Sequence, residues 1–259
     1  MIFNSYSASR KKRIFDIVFS LIVLVSLSPL MILVAIIIKL TSKGPVFYVS
    51  NRVGKGYTVF RFYKFRSMYV GSDKNRIHYS DMNMFLINKI EEELSEEKEL
   101  TIQCPRCAEL GKPCSSLLYI ENRQICEYWY YELKTNFGTK TRFFKIKNDP
   151  RVTPVGRFLR RTNIDELPQF FNILEGKMSV VGNRPLPIYE AEKLTSDLLA
   201  YRYLAPSGVT GLWQISKNRF QSEDKRINLD NQYALIASFK KDFEIILKTI
   251  PTVFRKSNH

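Results

Sequence analysis

Residues 17–38 carry no charged side chain, and this run limits what the chain can fold into more than any other segment. Its 22 residues, at about 1.5 Å each in a helix, match a hydrocarbon core roughly 30 Å thick. Arg10, Lys11, Lys12 and Arg13 precede it, and Lys39 and Lys43 follow. With cations on both flanks, the excess of positive charge on the cytoplasmic side selects neither orientation. Two paths remain open on pattern alone: a kinked spanning helix, or a re-entrant path with both ends cytoplasmic. Ser28-Pro29 lies midway. Proline removes a backbone donor and crowds the preceding turn, so a bend is expected there, with the serine hydroxyl satisfying a freed carbonyl. The run is too long for a signal-peptide core and lacks a clean small-residue cleavage site, so it is expected to be retained.

The formal net charge of +15 narrows the partners to nucleic acid, an anionic membrane surface or phosphorylated substrates. The charge is uneven. Residues 71–140 hold 9 Lys+Arg against 12 Asp+Glu, so the cationic excess belongs to the rest of the chain. A length of 259 residues and 45% hydrophobic content allow one large packed domain or two small ones.

All four cysteines fall in the acidic stretch, as Cys104-Pro-Arg-Cys107, Cys114 and Cys126. The Cys-x-x-Cys half is a good metal chelate, and four thiolates complete a closed tetrahedral zinc site. A reduced, cytosolic setting favours metal over disulfides. An iron–sulfur cluster and four unrelated thiols are the other readings. His78 and His259 read as exposed, solitary side chains.

Residues 44–68 predict a β-hairpin, with two aromatic and β-branched runs around Gly54-Lys55-Gly56. Residues 82–99 predict a helix with an acidic solvated face. A short strand and turn are expected over Phe143–Arg151, a basic helix over Val155–Arg161, and a further helix over Asp165–Leu174 with Pro168 in its first turn. Pro206–Gln214 reads as a loop, and Leu229–Phe254 as interfacial helices interrupted at Pro251.

The chemistry centres on Asp165-Glu166. Acidic residues at a helix start ordinarily cap free N–H groups and complement the dipole. Here arginines surround them: Arg157, Arg160 and Arg161 share a helix face just before the pair, and Arg184 follows in a Gly-Asn-Arg-Pro turn. A carboxylate attacking a diphosphate meets strong charge repulsion, which arginines and a divalent cation offset. One carboxylate of such a pair can attack while the other holds Mg²⁺.

KRIFD (12–16), Ser28-Pro29, GPVF (44–47), RVG (52–54), YKFRSM (63–68), the block 149–182 and SGVTGLWQIS (207–216) together resemble the bacterial sugar transferase family, the small monotopic polyprenyl-phosphate phosphoglycosyl transferases. The resemblance covers about residues 10–70 and 141–255. It implies transfer of a sugar-1-phosphate from a nucleotide-diphosphate sugar, typically UDP-linked, to undecaprenyl phosphate. UMP is released, and the step opens surface-glycan assembly at the cytoplasmic face of the bacterial inner membrane. It implies a covalent route with Asp165 as nucleophile and Glu166 on Mg²⁺. Lys64, Arg66, Arg160 and Arg184 become substrate-binding residues, and Ser28-Pro29 the bend of a re-entrant membrane helix. Two positions depart from the family pattern: Asn183 stands where proline is usual, and Ser50 near a usual glutamine.

The expected fold is α/β and helix-rich, a monotopic membrane protein with an N-terminal re-entrant helix-break-helix, a small β-hairpin and interfacial amphipathic helices. Its expected parts are a membrane segment (1–43), a catalytic domain (44–70 with 141–259) and an insertion (71–140) holding an acidic helix and the four-cysteine zinc site. Self-association is left open. A zinc-containing nucleic-acid binder is the weaker alternative, because the cysteine segment is acidic where a nucleic-acid-reading module should be basic. A non-catalytic membrane scaffold would leave Asp165-Glu166 without a task.

Overall fold

The computed structural model describes residues 10–72, 79, 82–87, 104–120, 123–138, 141–146, 148–194, 200–216 and 222–253. His78, His259 and residues 88–99 of the expected acidic helix lie outside them. Two compact units result, one of residues 1–75, 148–219 and 224–259, the other of residues 76–147 and 220–223.

In the first unit the apolar run forms two helices, α1 (Arg10–Ser26) and α2 (Ser28–Thr41), bent by 60° at the break. Pro29 starts α2, where its missing N–H costs nothing. The Ser28 hydroxyl donates to the Val25 carbonyl at 2.8 Å, recovering one acceptor at the end of α1. No single helix among the described residues is long and apolar enough to cross a membrane.

α1 buries a polar row, packs Phe15, Phe19, Val23 and Leu24 against the core, and leaves a further apolar face exposed. Lys12, Asp16 and Ser20, at spacing four, are buried, whereas Ile14, Val18, Ile22 and Val25 are exposed. Lys12 Nζ sits 2.5 Å from Asp242 Oδ2, and Asp16 accepts from Ser179 Oγ and Val180 N at 3.1 Å. Removing one partner of such a buried pair costs about 3–5 kcal/mol, so α1 is anchored firmly. Arg13 donates to the carbonyls of Ile173 and Leu174, the negative end of α4 (Gln169–Leu174).

The hairpin forms as expected, with β1 (Phe47–Val53) antiparallel to β2 (Val59–Phe65). A short strand, Leu186–Pro187, adds to the other edge of β1. Strand alternation puts Phe60, Phe62 and Lys64 on one face. Phe60 and Phe62 join Phe170, Ile173, Val180, Val181 and Tyr233 in the core, and Phe65 on the opposite face packs with Val34, Ile38 and Leu159. Gly44, at φ +123°, lets the Arg66 guanidinium pass where a Cβ would sit.

Three expectations need correction. Asp165–Leu174 is not one helix: a 3₁₀ turn over Ile164–Glu166 precedes α4, and Pro168 lies between them. Pro206–Gln214 is not a loop. Gly208–Thr210 pairs in parallel with Ser179–Val181, and Leu212–Ile215 is helical. The last long helix, Phe239–Val253, contains Pro251 near its end, where the expected interruption does not occur. That helix exposes Phe239, Phe243, Leu247 and Ile250 on one face and buries Asp242 and Ile245 on the other.

In the second unit a short helix, Pro105–Leu110, precedes an antiparallel hairpin, Leu117–Ile120 with Arg123–Cys126, and the helix Glu127–Gly138. Among its described residues Leu86, Ile125 and Leu133 form a cluster with Leu118, Trp129 and Tyr130 against them, and Phe85, Phe143 and Ile146 are buried as well. Among the described residues of 143–151, Ile146 makes an isolated bridge to Asn83 in place of the expected short strand.

Candidate active site

A helix and a strained turn deliver the carboxylates. Thr153 caps α3 (Pro154–Arg161), its hydroxyl accepting from Gly156 N at 2.9 Å. A Cβ on Gly156 would lie 1.9 Å from the Ser67 carbonyl oxygen, so glycine is what lets α3 rest on the segment after β2. Arg160 then reaches Ser67 Oγ at 3.1 Å. Asn163 takes a left-handed conformation at φ 56°, which asparagine tolerates better than most residues, and the chain reverses to present Asp165 and Glu166.

Lys64 bridges the pair, 3.3 Å from Asp165 Oδ2 and 2.8 Å from Glu166 Oε1. Arg184 Nη2 meets the same Glu166 oxygen at 2.7 Å, leaving Oε2 with a long 3.5 Å contact. Burial pushes the Asp165 carboxyl above its ordinary range; Lys64 opposes this and the Glu166 charge adds to it. Burial would raise Glu166 too, but Arg184 and Lys64 outweigh it and hold Glu166 below the usual carboxylate range. Two adjacent carboxylates are thus pushed apart, one toward the proton and one firmly charged.

Arg184 is itself held. Arg202 donates to the Arg184 carbonyl at 2.6 Å and pairs with buried Asp230 at 3.1 Å. Asn183 donates through Nδ2 to the carbonyls of Arg202 and Asp230, and its N–H bonds Pro206 O at 2.9 Å, a bond proline could not make. Ser50, the other departure, accepts from Arg52 Nε at 3.2 Å. Arg52, Arg184 and Arg226 all feel the buried Glu190. Burial lowers Arg226 to about 10, and its guanidinium lies over the Trp213 ring at 4.2 Å.

Of the residues expected from sequence, the structure brings Lys64, Asp165, Glu166 and Arg184 into direct contact and sets Arg160 nearby. Arg66 turns away: it donates to Ser42 O, Ser42 Oγ and Lys43 O, clamping the end of α2. Arg157 and Arg161 are exposed. Sequence reasoning missed Glu190, Arg202, Arg226 and Asp230; the last two stand four residues apart on the helix Glu223–Ile236, and the other two come from separate segments.

Glu166 Oε1 meets both cations, and Oε2 is the less tightly held oxygen of this carboxylate. In the second unit, the sulfurs of Cys104, Cys107, Cys114 and Cys126 lie within 4.8 Å of one another and can hold a metal.

Catalysis by an ionised Asp165 should show an acid limb. Because Asp165 is raised, activity should fall as pH drops through a value above the ordinary carboxylate range, while Glu166 stays charged. Lys64→Met removes the cation that opposes the rise, so the limb should move to higher pH. A pH–rate profile of both proteins checks this; an unmoved limb would remove Asp165 as the titrating group.

The paired carboxylates lie in a cationic setting, in a unit that also carries the bent apolar helix pair α1 and α2. The family model for bacterial sugar transferases matches residues 7–256, and the chain belongs to that family. It is 36% identical over 247 residues to the undecaprenyl-phosphate galactose phosphotransferase of Salmonella typhimurium, covering 95% of this chain and 40% of that protein. It is 34% identical over 242 residues to the exopolysaccharide production protein ExoY of Rhizobium meliloti, covering 93% of this chain and 84% of that one. It is 31% identical over 246 residues to the UDP-glucose:undecaprenyl-phosphate glucose-1-phosphate transferase of Klebsiella pneumoniae, covering 92% and 39%. The chain therefore spans about two-fifths of the first and third relatives and most of the second.

Proposed function

We propose that the protein is a phosphoglycosyl transferase that moves a sugar-1-phosphate from a UDP-sugar to undecaprenyl phosphate. The observation that carries this reading is the contact of Lys64 and Arg184 with the Asp165-Glu166 pair, in a chain of this family. An Asp165 oxygen attacks the phosphorus bearing the sugar, the bond to the UMP oxygen breaks, and UMP leaves with that electron pair. A phosphate oxygen of the polyprenyl acceptor then attacks the same phosphorus and releases the Asp165 carboxylate. Lys64 and Arg184 offset the charge of the approaching diphosphate, and Arg160 adds a cation on the α3 side. The less tightly held Oε2 of Glu166 would hold Mg²⁺, which when bound would supply further neutralisation of the diphosphate. Arg66 acts at a distance in this reading, fixing the end of α2 rather than touching phosphate.

Residues 1–43 form the membrane segment, 44–70 with 141–259 the transferase domain, and 71–140 an insertion. α1 and α2 enter and leave one leaflet at the cytoplasmic face. The 60° bend and the outward apolar faces of α1, α2 and Phe239–Val253 support this. Impermeant maleimide applied to intact cells should then label neither Lys11→Cys nor Lys43→Cys, while permeabilised cells label both. Lys12 is unsuitable for this test, because it is buried against Asp242. External labelling of either position would contradict the re-entrant path.

We assign Zn²⁺ to the four cysteines as a structural ion. The function is tested by incubating the purified chain with a panel of UDP-sugars, with and without undecaprenyl phosphate. Acceptor-dependent turnover with stoichiometric UMP is expected for at least one sugar. UDP as the released nucleotide would point to glycosyl rather than phosphoglycosyl transfer and sink the proposal.

A further inference from the structure

The geometry points to a closed, one-metal tetrathiolate centre that fastens the helix Pro105–Leu110 to the end of the hairpin Leu117–Ile120 with Arg123–Cys126, so that this part of the chain orders around its metal while transfer at Asp165 does not depend on it. The inference rests on the zinc reading of the four cysteines and extends it to what the ion does.

The sulfurs are spaced for a metal rather than for each other. Cys104 Sγ and Cys126 Sγ each lie 3.7 Å from Cys114 Sγ. A disulfide would need about 2.05 Å. A tetrahedral ion with bonds of about 2.3 Å sets its ligand sulfurs about 3.8 Å apart. The backbone is built to hold them there. Cys104 caps the helix Pro105–Leu110 and Cys107 sits in its first turn, so both face one side. Gly111, at φ 59°, ends the helix in a left-handed turn that brings Cys114 back toward them. Cys126 ends the hairpin, opposite Leu117. Two backbone N–H groups point at sulfur: Cys114 N at 3.3 Å from Cys107 Sγ, and Trp129 N at 3.4 Å from Cys126 Sγ. Such donors stabilise thiolate ligands and fix their orientation.

The centre joins the helix Pro105–Leu110, the turn at Cys114 and the end of the hairpin. That helix buries no residue of its own, while its cap Cys104 is buried. A short helix without a buried apolar face is of the kind that a structural metal fixes in place. Four protein ligands also leave no open position for substrate, which separates this centre from the chemistry. Asp165, Glu166, Lys64 and Arg184 all belong to the other compact unit.

The test uses the full chain in detergent, purified under reducing conditions. Metal analysis should find one zinc per chain, and Co²⁺ substitution should give the visible bands of a tetrahedral thiolate site. A zinc-selective chelator, with Mg²⁺ in excess, should speed amide exchange over residues 104–138 at least tenfold, and added Zn²⁺ should restore it. UMP release should change less than twofold. Cys107→Ser should lose the metal and Cys107→His should keep it. Chain without metal or Co²⁺ bands, or with the colour of an iron–sulfur cluster, overturns the zinc reading itself. Bound zinc whose removal leaves exchange unchanged overturns the folding role. Chelation that stops UMP release overturns the separation from catalysis. The metal and exchange measurements decide their points even if the chain proves not to release UMP.

Discussion

Asp165→Asn is expected to abolish turnover, with a loss on the order of 10⁵-fold, the scale found when a covalent nucleophile is removed. The amide keeps the side chain's shape and its site beside Lys64, so the fold should survive. What it loses is the charge and the nucleophilic oxygen. Even the burial that raises Asp165 helps the comparison: an uncharged side chain at a 4% exposed position is not a desolvation problem. Unfolding of the variant should therefore match wild type, and loss of UMP release then reports chemistry. Residual turnover within tenfold of wild type would exclude Asp165 as nucleophile.

Glu166→Gln should cost about 10²–10³-fold, the usual consequence of removing one preorganised charge from an active site. The residue carries two cations on one oxygen, 2.8 Å from Lys64 and 2.7 Å from Arg184. Gln cannot balance either of them, and its amide is a poor Mg²⁺ ligand. Two signatures should separate this from simple misfolding: a higher Mg²⁺ concentration for half-maximal rate, and a KM for the UDP-sugar that moves less than kcat. Full wild-type activity in excess EDTA would contradict the metal's part in the account.

The legible parts of this protein were those whose cause is local. The break at Ser28-Pro29 follows from one proline in an uncharged run, and the hairpin from two β-rich runs about a Gly-Lys-Gly turn. The cysteine cluster followed from spacing. What stayed hidden depends on contacts between distant segments. Gly208–Thr210 looks like a loop until Ser179–Val181 pairs with it in parallel. Arg66, expected at the substrate from the resemblance alone, follows the end of β2 at Phe65 and turns to the end of α2. Arg202 and Asp230 fix Arg184 from two elements with no motif between them. Asn183 likewise ties distant segments together, its side chain bonding the Arg202 and Asp230 carbonyls and its N–H the Pro206 carbonyl.

The central claim is that Asp165 carries the phosphosugar between donor and acceptor. Its most direct measurement is the intact mass of the chain after brief exposure to the cognate UDP-sugar without polyprenyl phosphate. The account predicts a gain of one sugar-phosphate, mapped by peptide analysis to Asp165, discharged by undecaprenyl phosphate and missing from Asp165→Asn. A chain that turns over with acceptor present yet never gains that mass, or gains it equally in Asp165→Asn, would contradict it.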